Sequence, residues 1–590
     1  MSVSDQPSTS PSAGPPRPWA EIASGYAFEG PALDLGAVLW DGDCHPDARV
    51  RVPLAVFNRH GLVAGATGTG KTKTLQLIAE QLSARGVPVF LADIKGDLSG
   101  ISAPGEDGEK VRERAAQVGQ EWTAAGFPCE FYALGGTEAG AGSEAGEGAG
   151  AAAGAGSGGT RAGGAGTGSG IPVRATVTSF GPLLLSKVLR LNRTQEQSLG
   201  LIFHYADAKG LELVDLKDLR AVVAFLVSDL GKAELKGIGG LSTATAGVIL
   251  RAITALEQQG AGGFFGEPEF DTADLLRTAG DGRGVVSVLE LPAVQDKPQL
   301  FSTFLMWLLA DLYGDLPEVG DLEKPKLVFF FDEAHLLFNG ASQAFLESVT
   351  QTVRLIRSKG VGIFFVTQTP KDVPSDVLAQ LGNRVQHALR AFTPDDAKAL
   401  KATVRTFPKS AYDLEEVLTG LGTGEAVVTV LSEKGAPTPV AATRLRAPQS
   451  LMAPVPAAAL EAAVQGSPLY GRYAEVVDRE SAYERLTAEQ RAAEEAAERA
   501  AAEEAAERAA EKGATEGATE GATEGGTEGG TERASGRDGT RAPRRKEEPS
   551  LVEQVVGSGL FKSLARSVGT QLGREISRSV FGTARRGRRR

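Results

Sequence analysis

Cysteine is nearly missing from this chain: Cys44 and Cys129 are the only two among 590 residues, and they lie far apart. That spacing argues against a disulfide scaffold and a cysteine zinc site, and a reducing, cytoplasmic compartment is expected. Long apolar runs are missing as well. None approaches the roughly 20 residues of a membrane-spanning helix, and no secretory leader is apparent. A basic excess is missing too, since the formal net charge is −12. Between Glu475 and Glu532 stand 17 acidic and 6 basic side chains, so one arm carries −11 of that total. The rest is close to neutral, and the acidic balance does not exclude nucleic acid as a partner.

Complexity is low in several stretches. Residues 1–24 begin Ser/Pro-rich and are expected to be disordered. Residues 135–170 are almost all Gly, Ala, Ser, Thr and Glu. They cannot bury enough apolar surface to fold and read as a flexible insertion between the Phe131 region and a strand-like stretch over 172–177. Residues 452–548 form an Ala/Glu-rich arm with strong helix formers up to Lys512, then GATE-like tetrads from Gly513 to Glu532. That period is far below the roughly 20 residues of a repeat fold, so the tetrads read as a solvated linker. Residues 549–590 are basic and amphipathic, with Leu560, Phe561, Leu564, Val568, Leu572 and Ile576 near helical spacing. Such a segment suits packing on the core, a phosphate backbone or an anionic surface. There remain a short β-rich segment at 25–60 and a core at 61–451, with a helical insertion over 183–280.

The most informative stretch opens that core. Gly65-Ala66-Thr67-Gly68-Thr69-Gly70-Lys71-Thr72 fits G-x-x-x-x-G-K-[ST]. The apolar residues 61–64 before it read as a buried strand, and residues 73–82 after it as a helix. Strand, glycine loop and helix together make a phosphate cradle. Glycines let the backbone close on phosphate oxygens, and N–H groups at the helix start face the anion. Lys71 would reach the β- and γ-phosphates of a nucleotide, and Thr72 would hold Mg2+.

Residues 326–335 carry the counterpart. The apolar run 327–331 suits a central strand buried on both faces, and it ends in Asp332 and Glu333. Asp332 would bind Mg2+, and Glu333 would polarise the attacking water. His335 receives no role. Residues 342–359 show helical spacing at Phe345, Leu346, Val349, Val353 and Ile356, with Ser342 as cap and Gly360 at the end. Residues 361–368 read as another buried strand. Its polar end, Thr367-Gln368, lies where nucleotides sit in an open α/β sheet. Gln368 would sense the γ-phosphate and place the water. A strand over 87–93 puts Asp93 and Lys95 at the same edge, for ligand contact or, in the case of Asp93, to cap the next loop.

With its lead-in Arg51-Val52-Pro53-Leu54 and His60, the glycine loop resembles the HerA–FtsK class of ring ATPases, and within it the HerA-like group. Asp332-Glu333-Ala334-His335 and Thr367-Gln368 fit the same class. Ala92-Asp93-Ile94-Lys95-Gly96-Asp97, Thr369-Pro370-Lys371-Asp372 and the stretch 380–390 narrow the likeness to bacterial HerA-like proteins. The resemblance covers most of 25–451 and the C-terminal segment. It implies an α/β fold: a RecA-like P-loop NTPase core with a mostly parallel sheet, a helical insertion, and a disordered or helical C-terminal arm. It also implies hydrolysis of ATP with Mg2+, a homo-oligomeric ring (a hexamer), double-stranded DNA threaded through it, and a nuclease or other protein partner. Residues 25–58 are short for the N-terminal barrel of that group, so a reduced barrel or a few strands is expected.

Asp-Glu-Ala-His also occurs in helicases that carry two RecA-like domains and complete the site between them. Here only one phosphate loop is present, and no second core follows Thr429. An arginine that neutralises transition-state charge would then come from a neighbouring subunit. Arg354, Arg357, Arg384 and Arg390 are the candidates, with Arg384 and Arg357 ranked first. The alternative to a DNA motor is a nucleotide-controlled scaffold or protein-remodelling ATPase whose acidic arm and basic tail engage partners.

Overall fold

The computed structural model describes residues 18–135, 170–235, 239–292, 297–320, 322–339, 341 and 343–519. The expectations for residues 1–17, for 136–169, for Ser342 as a cap and for everything from residue 520 onward lie outside them. The described chain falls into two units, with the boundary between Arg479 and Glu480.

The first unit is built on one sheet. Its strands are β1 (Ala32–Trp40), β2 (Asp43–Pro53), β3 (Gly61–Ala64), β4 (Val89–Asp93), β5 (Cys129–Leu134) and β6 (Ile171–Val173). They continue with β7 (Val286–Glu290), β8 (Leu327–Phe331), β9 (Val361–Thr367), β10 (Asn383–His387), β11 (Glu425–Thr429) and β12 (Ala441–Leu445). The order is β2-β1-β12-β11-β10-β3-β9-β8-β4-β7-β5-β6. From β10 to β6 every neighbouring pair is parallel. The other four strands add an antiparallel edge that ends on β10. The mostly parallel α/β sheet is therefore present.

Its central strands explain their own sequences. A parallel strand covered on both faces has no solvent side, so it needs no polar alternation. Every residue of β8 is buried. Phe330 packs beside Phe364 at 5.1 Å between ring centres, while Phe329 meets Phe90 at 5.0 Å. Each such ring contributes about 1.5–3 kcal/mol by burial.

The segment before the glycine loop forms no separate barrel. Asp41 and Gly42 take φ of 52° and 85° and join β1 to β2, as a two-residue hairpin turn requires. β1 then pairs with β12, with Gly36 opposite Leu445. Two other expectations need correction. Pro18–Ser24, placed by composition in the unfolded tail, is a helix with Ile22 buried; Trp19 stacks on His45 at 4.5 Å. The strand expected over 172–177 stops at Val173, because Thr176 caps the short helix Val177–Phe180 by accepting from the Ser179 N–H. In the insertion, helices Arg193–Lys209 and Leu216–Val227 begin at capping boxes on Asn192 and Asp215.

The helix behind the glycine loop, Lys71–Ala84, is tied to the end of the core through a buried carboxylate. Glu80 Oε2 accepts the Gln449 N–H at 2.8 Å, and Oε1 accepts the Ser450 N–H at 2.9 Å and the Ser450 hydroxyl. Burial pushes this carboxyl up, and those donors pull it back. Glu80→Ala strands the donors, so a loss of about 2–4 kcal/mol is expected. Urea unfolding of the full chain reads it as a lower midpoint; an unchanged midpoint would refute the tie.

The second unit contributes the helix Ala482–Thr519. It runs past Gly513, where the sequence pattern places a solvated linker. Among the described residues no helix is long and apolar enough to cross a membrane.

Candidate active site

Parallel strands deliver their carboxyl ends to one edge of the sheet. β9 separates β3 from β8. Ala64 stands opposite Thr367, and Phe331 opposite Phe365. Gly65, Gln368 and Asp332 therefore leave the sheet side by side.

The loop is held from below and above. Gly65 N–H donates to Thr367 O at 3.2 Å, and Ala66 N–H to Ala388 O at 2.8 Å. A Cβ at Gly65 would stand 2.4 Å from His387 Cβ. Gly68 and Gly70 adopt φ of 78° and 108°, backbone states that a side chain resists. On the other side, Gly424 N–H donates to Thr69 O at 2.9 Å. Arg114 fixes that brace by donating to Gly424 O at 2.9 Å and Thr423 O at 3.0 Å.

Inside the loop, Ala66 O accepts from Thr69 Oγ1 at 2.7 Å and from Lys71 Nζ at 3.2 Å. Helix Lys71–Ala84 starts on Gly70, which offers no side-chain cap. Its first-turn N–H groups are thus open to an anion. Lys71 is buried. Burial lowers its pKa, while the charge of Glu333 acts in the opposite direction. His387 lies beneath, with Nε2 at 2.9 Å from Thr74 Oγ1. Burial first, and then the charge of Lys71, lower its pKa to about 4, so it is neutral at pH 7.

Asp332 and Glu333 follow β8. Asp332 is 1% exposed. Its Oδ1 accepts the Glu333 N–H at 2.9 Å, and its Oδ2 has no hydrogen-bond partner among the described residues. Burial pushes its carboxyl up to about 7, against the pull of Lys95. An orphaned, desolvated carboxylate oxygen beside a phosphate loop is a group that a divalent cation would satisfy. Thr72, one residue past Lys71 in the first helical turn, would supply a hydroxyl for the same ion. The residues present thus fit Mg2+. Glu333 has a left-handed backbone, φ 46°. Its carboxylate pairs with Lys95 through Oε1, and Oε2 lies 3.1 Å from His335 Nδ1. Burial alone would raise its pKa; the hydrogen bond and charge of Lys95 reverse that and hold it low.

Gln368 is exposed just past β9, in a recess shared with His335, Phe338, Thr369 and Lys371. The arginines are spread out. Arg384 lies near the start of β10 opposite Leu62 and donates to Thr406 Oγ1 at 2.6 Å. Arg357 closes the helix Gln343–Ile356, just before β9. Both sit toward the strand starts, the edge away from the phosphate loop. Arg354 is exposed on that helix, and Arg390 is exposed past the end of β10. None is brought to the loop within one chain. Asp93 turns inward and accepts the N–H groups of Lys95, Gly96 and Leu98 at 3.1, 2.8 and 2.8 Å. Of its two expected uses, the structure displays the loop cap.

Sequence reasoning missed Arg114, His387 and the Thr423-Gly424 brace. Each reaches the loop from a distant part of the chain, and none sits in a spacing pattern that marks it.

Comparisons with known proteins find a family, curated relatives and solved structures similar to this chain. The family described as Helicase HerA-like C-terminal matches residues 41–143 and 164–590. Among curated relatives, Probable helicase MJECL08 of Methanocaldococcus jannaschii is 29% identical over 153 residues, 24% of this chain and 28% of that protein. DNA double-strand break repair helicase HerA of Sulfurisphaera tokodaii is 32% identical over 108 residues, 18% of this chain and 21% of that protein. The chain thus spans 21–28% of the length of the curated relatives it matches. Among solved structures, the bacterial conjugative coupling protein TrwB, in its unbound monoclinic form, matches with a TM-score of 0.44 and 13% identity, over 74% of this chain and 94% of that one. With the family match extending over most of its length, the chain belongs to the Helicase HerA-like C-terminal family.

Proposed function

We propose that this protein hydrolyses ATP with Mg2+ as a homo-oligomeric ring, hexameric and cytoplasmic, and that turnover moves it along, or remodels, double-stranded DNA. One observation carries the chemistry: the glycine loop with Lys71 and the Asp332-Glu333 pair emerge at the same sheet edge with β9 alone between them. Lys71 and the amides of the Gly65–Thr72 loop, apart from those of Gly65 and Ala66 that brace it, bind the triphosphate. Thr72 and Asp332 hold the cation, which supplies charge neutralisation at the phosphates. Glu333 orients the attacking water, and Gln368 reads the γ-phosphate. An arginine of a neighbouring subunit, Arg384 or Arg357, completes the charge balance. Membership of the family supports the ATPase, and the name of the Sulfurisphaera tokodaii relative supports DNA as the polymer.

Two measurements on the purified full chain test this. Particle mass with a non-hydrolysable ATP analogue is expected to give six subunits. Phosphate release is expected to rise at least about threefold with duplex DNA and to lose that stimulation as salt increases. A monomer with full turnover would remove the ring. ATPase indifferent to duplex DNA, with a protein partner retained only in the ATP state, would favour the nucleotide-controlled scaffold instead.

A further inference from the structure

We propose that Lys95 is the positioning residue for Glu333. This rests on Glu333 as the water-activating carboxylate and adds the group that sets its orientation. Glu333 has φ 46°, a conformation that a residue with a Cβ keeps only where its surroundings impose it. Two restraints impose it. Its N–H donates to Asp332 Oδ1 at 2.9 Å, which pins the backbone. Its Oε1 is paired with the Lys95 ammonium, which pins the side chain. Oε2 lies 3.1 Å from His335 Nδ1 without the alignment of a hydrogen bond, and it has no hydrogen-bond partner. One oxygen is thus the anchor, and the other, buried beside His335, leaves its lone pairs unspent among the described residues.

The anchor is itself well mounted. Lys95 follows β4, the neighbour of β8, on a loop whose three N–H groups are gathered by Asp93. The Lys95 side chain is 40% exposed while that of Glu333 is 8% exposed. The ammonium therefore reaches inward from the open side of the site. A pair serving only the core would have both ends buried. Holding a reacting group in one orientation before substrate arrives lowers the barrier without further reorganisation during the reaction.

The full chain carries the test. Lys95→Met keeps most of the stem and removes the charge. Its kcat for ATP is expected to fall about 30-fold or more, while KM and the affinity for a non-hydrolysable analogue move by less than about threefold. Lys95→Arg recovers most of the loss. In a Glu333→Gln background, Lys95→Met adds nothing further, because both changes act on one unit. A thermal-melt cycle on nucleotide-free protein shows coupling between the two positions. Unchanged kcat in Lys95→Met, a loss of affinity in place of turnover, additivity with Glu333→Gln, or no coupling in the melts overturns the proposal. The role of Glu333 stands or falls separately, on the single variant Glu333→Gln. If that variant is inactive and Lys95→Met is normal, only Lys95 has been misassigned.

Discussion

Glu333→Gln is expected to leave ATP bound and nearly abolish its turnover. The amide has the shape of the carboxylate and stays on the same β8 terminus, beside the same Asp332. What disappears is the charge that orients and polarises a water. Positioned acid–base groups contribute about 100- to 10,000-fold, so kcat falls by that much. Phosphate release read against binding of a fluorescent ATP analogue separates the two effects. Wild-type turnover in the variant would remove Glu333 from the chemistry. A loss of binding equal to the loss of turnover would make it a ligand-binding group instead.

Lys71→Ala is expected to fail one step earlier. Lys71 is buried at the start of its helix, and among the described residues its ammonium donates to Ala66 O within the loop. Phosphate oxygens would replace that neutral carbonyl with charge-assisted bonds, each worth about 1.5–3 kcal/mol. Removing the ammonium should weaken ATP binding by roughly 10- to 150-fold. Stability should change little, since burial already disfavours the charged lysine and its alanine replacement remains a good helix former. Titration calorimetry with the analogue, together with a thermal melt, checks both halves. Unchanged affinity would contradict the phosphate role of Lys71. A collapse of the melting temperature would make the residue a structural one.

Much of the frame could be read from local pattern. The run from Leu327 to Phe331 is apolar at every position because both faces are covered, and it forms β8 over those residues. The strand before the glycine loop is β3, Gly61–Ala64, as its apolar sequence indicates. Patterns that depend on few residues were less informative. Val177 is β-branched and apolar, yet it starts a helix because the Thr176 hydroxyl captures a backbone N–H. Pro18–Ser24 is short and follows a Ser/Pro-rich stretch, and its order comes from a stacking partner, His45, that composition cannot identify.

By itself, the sequence determined which groups are available for chemistry: a glycine loop with Lys71 and Thr72, an acidic pair at a strand end, and Gln368 after the next strand. Motif spacing encodes these, because phosphate binding needs a fixed order of N–H groups over a few consecutive residues. Only the tertiary structure decided what those groups face. It set Lys95 on Glu333, His387 under Gly65 and Gly424 over Thr69, and it left the candidate arginines away from the loop of their own chain. Partners separated by hundreds of residues are chosen by strand order and register, and a one-dimensional pattern carries neither.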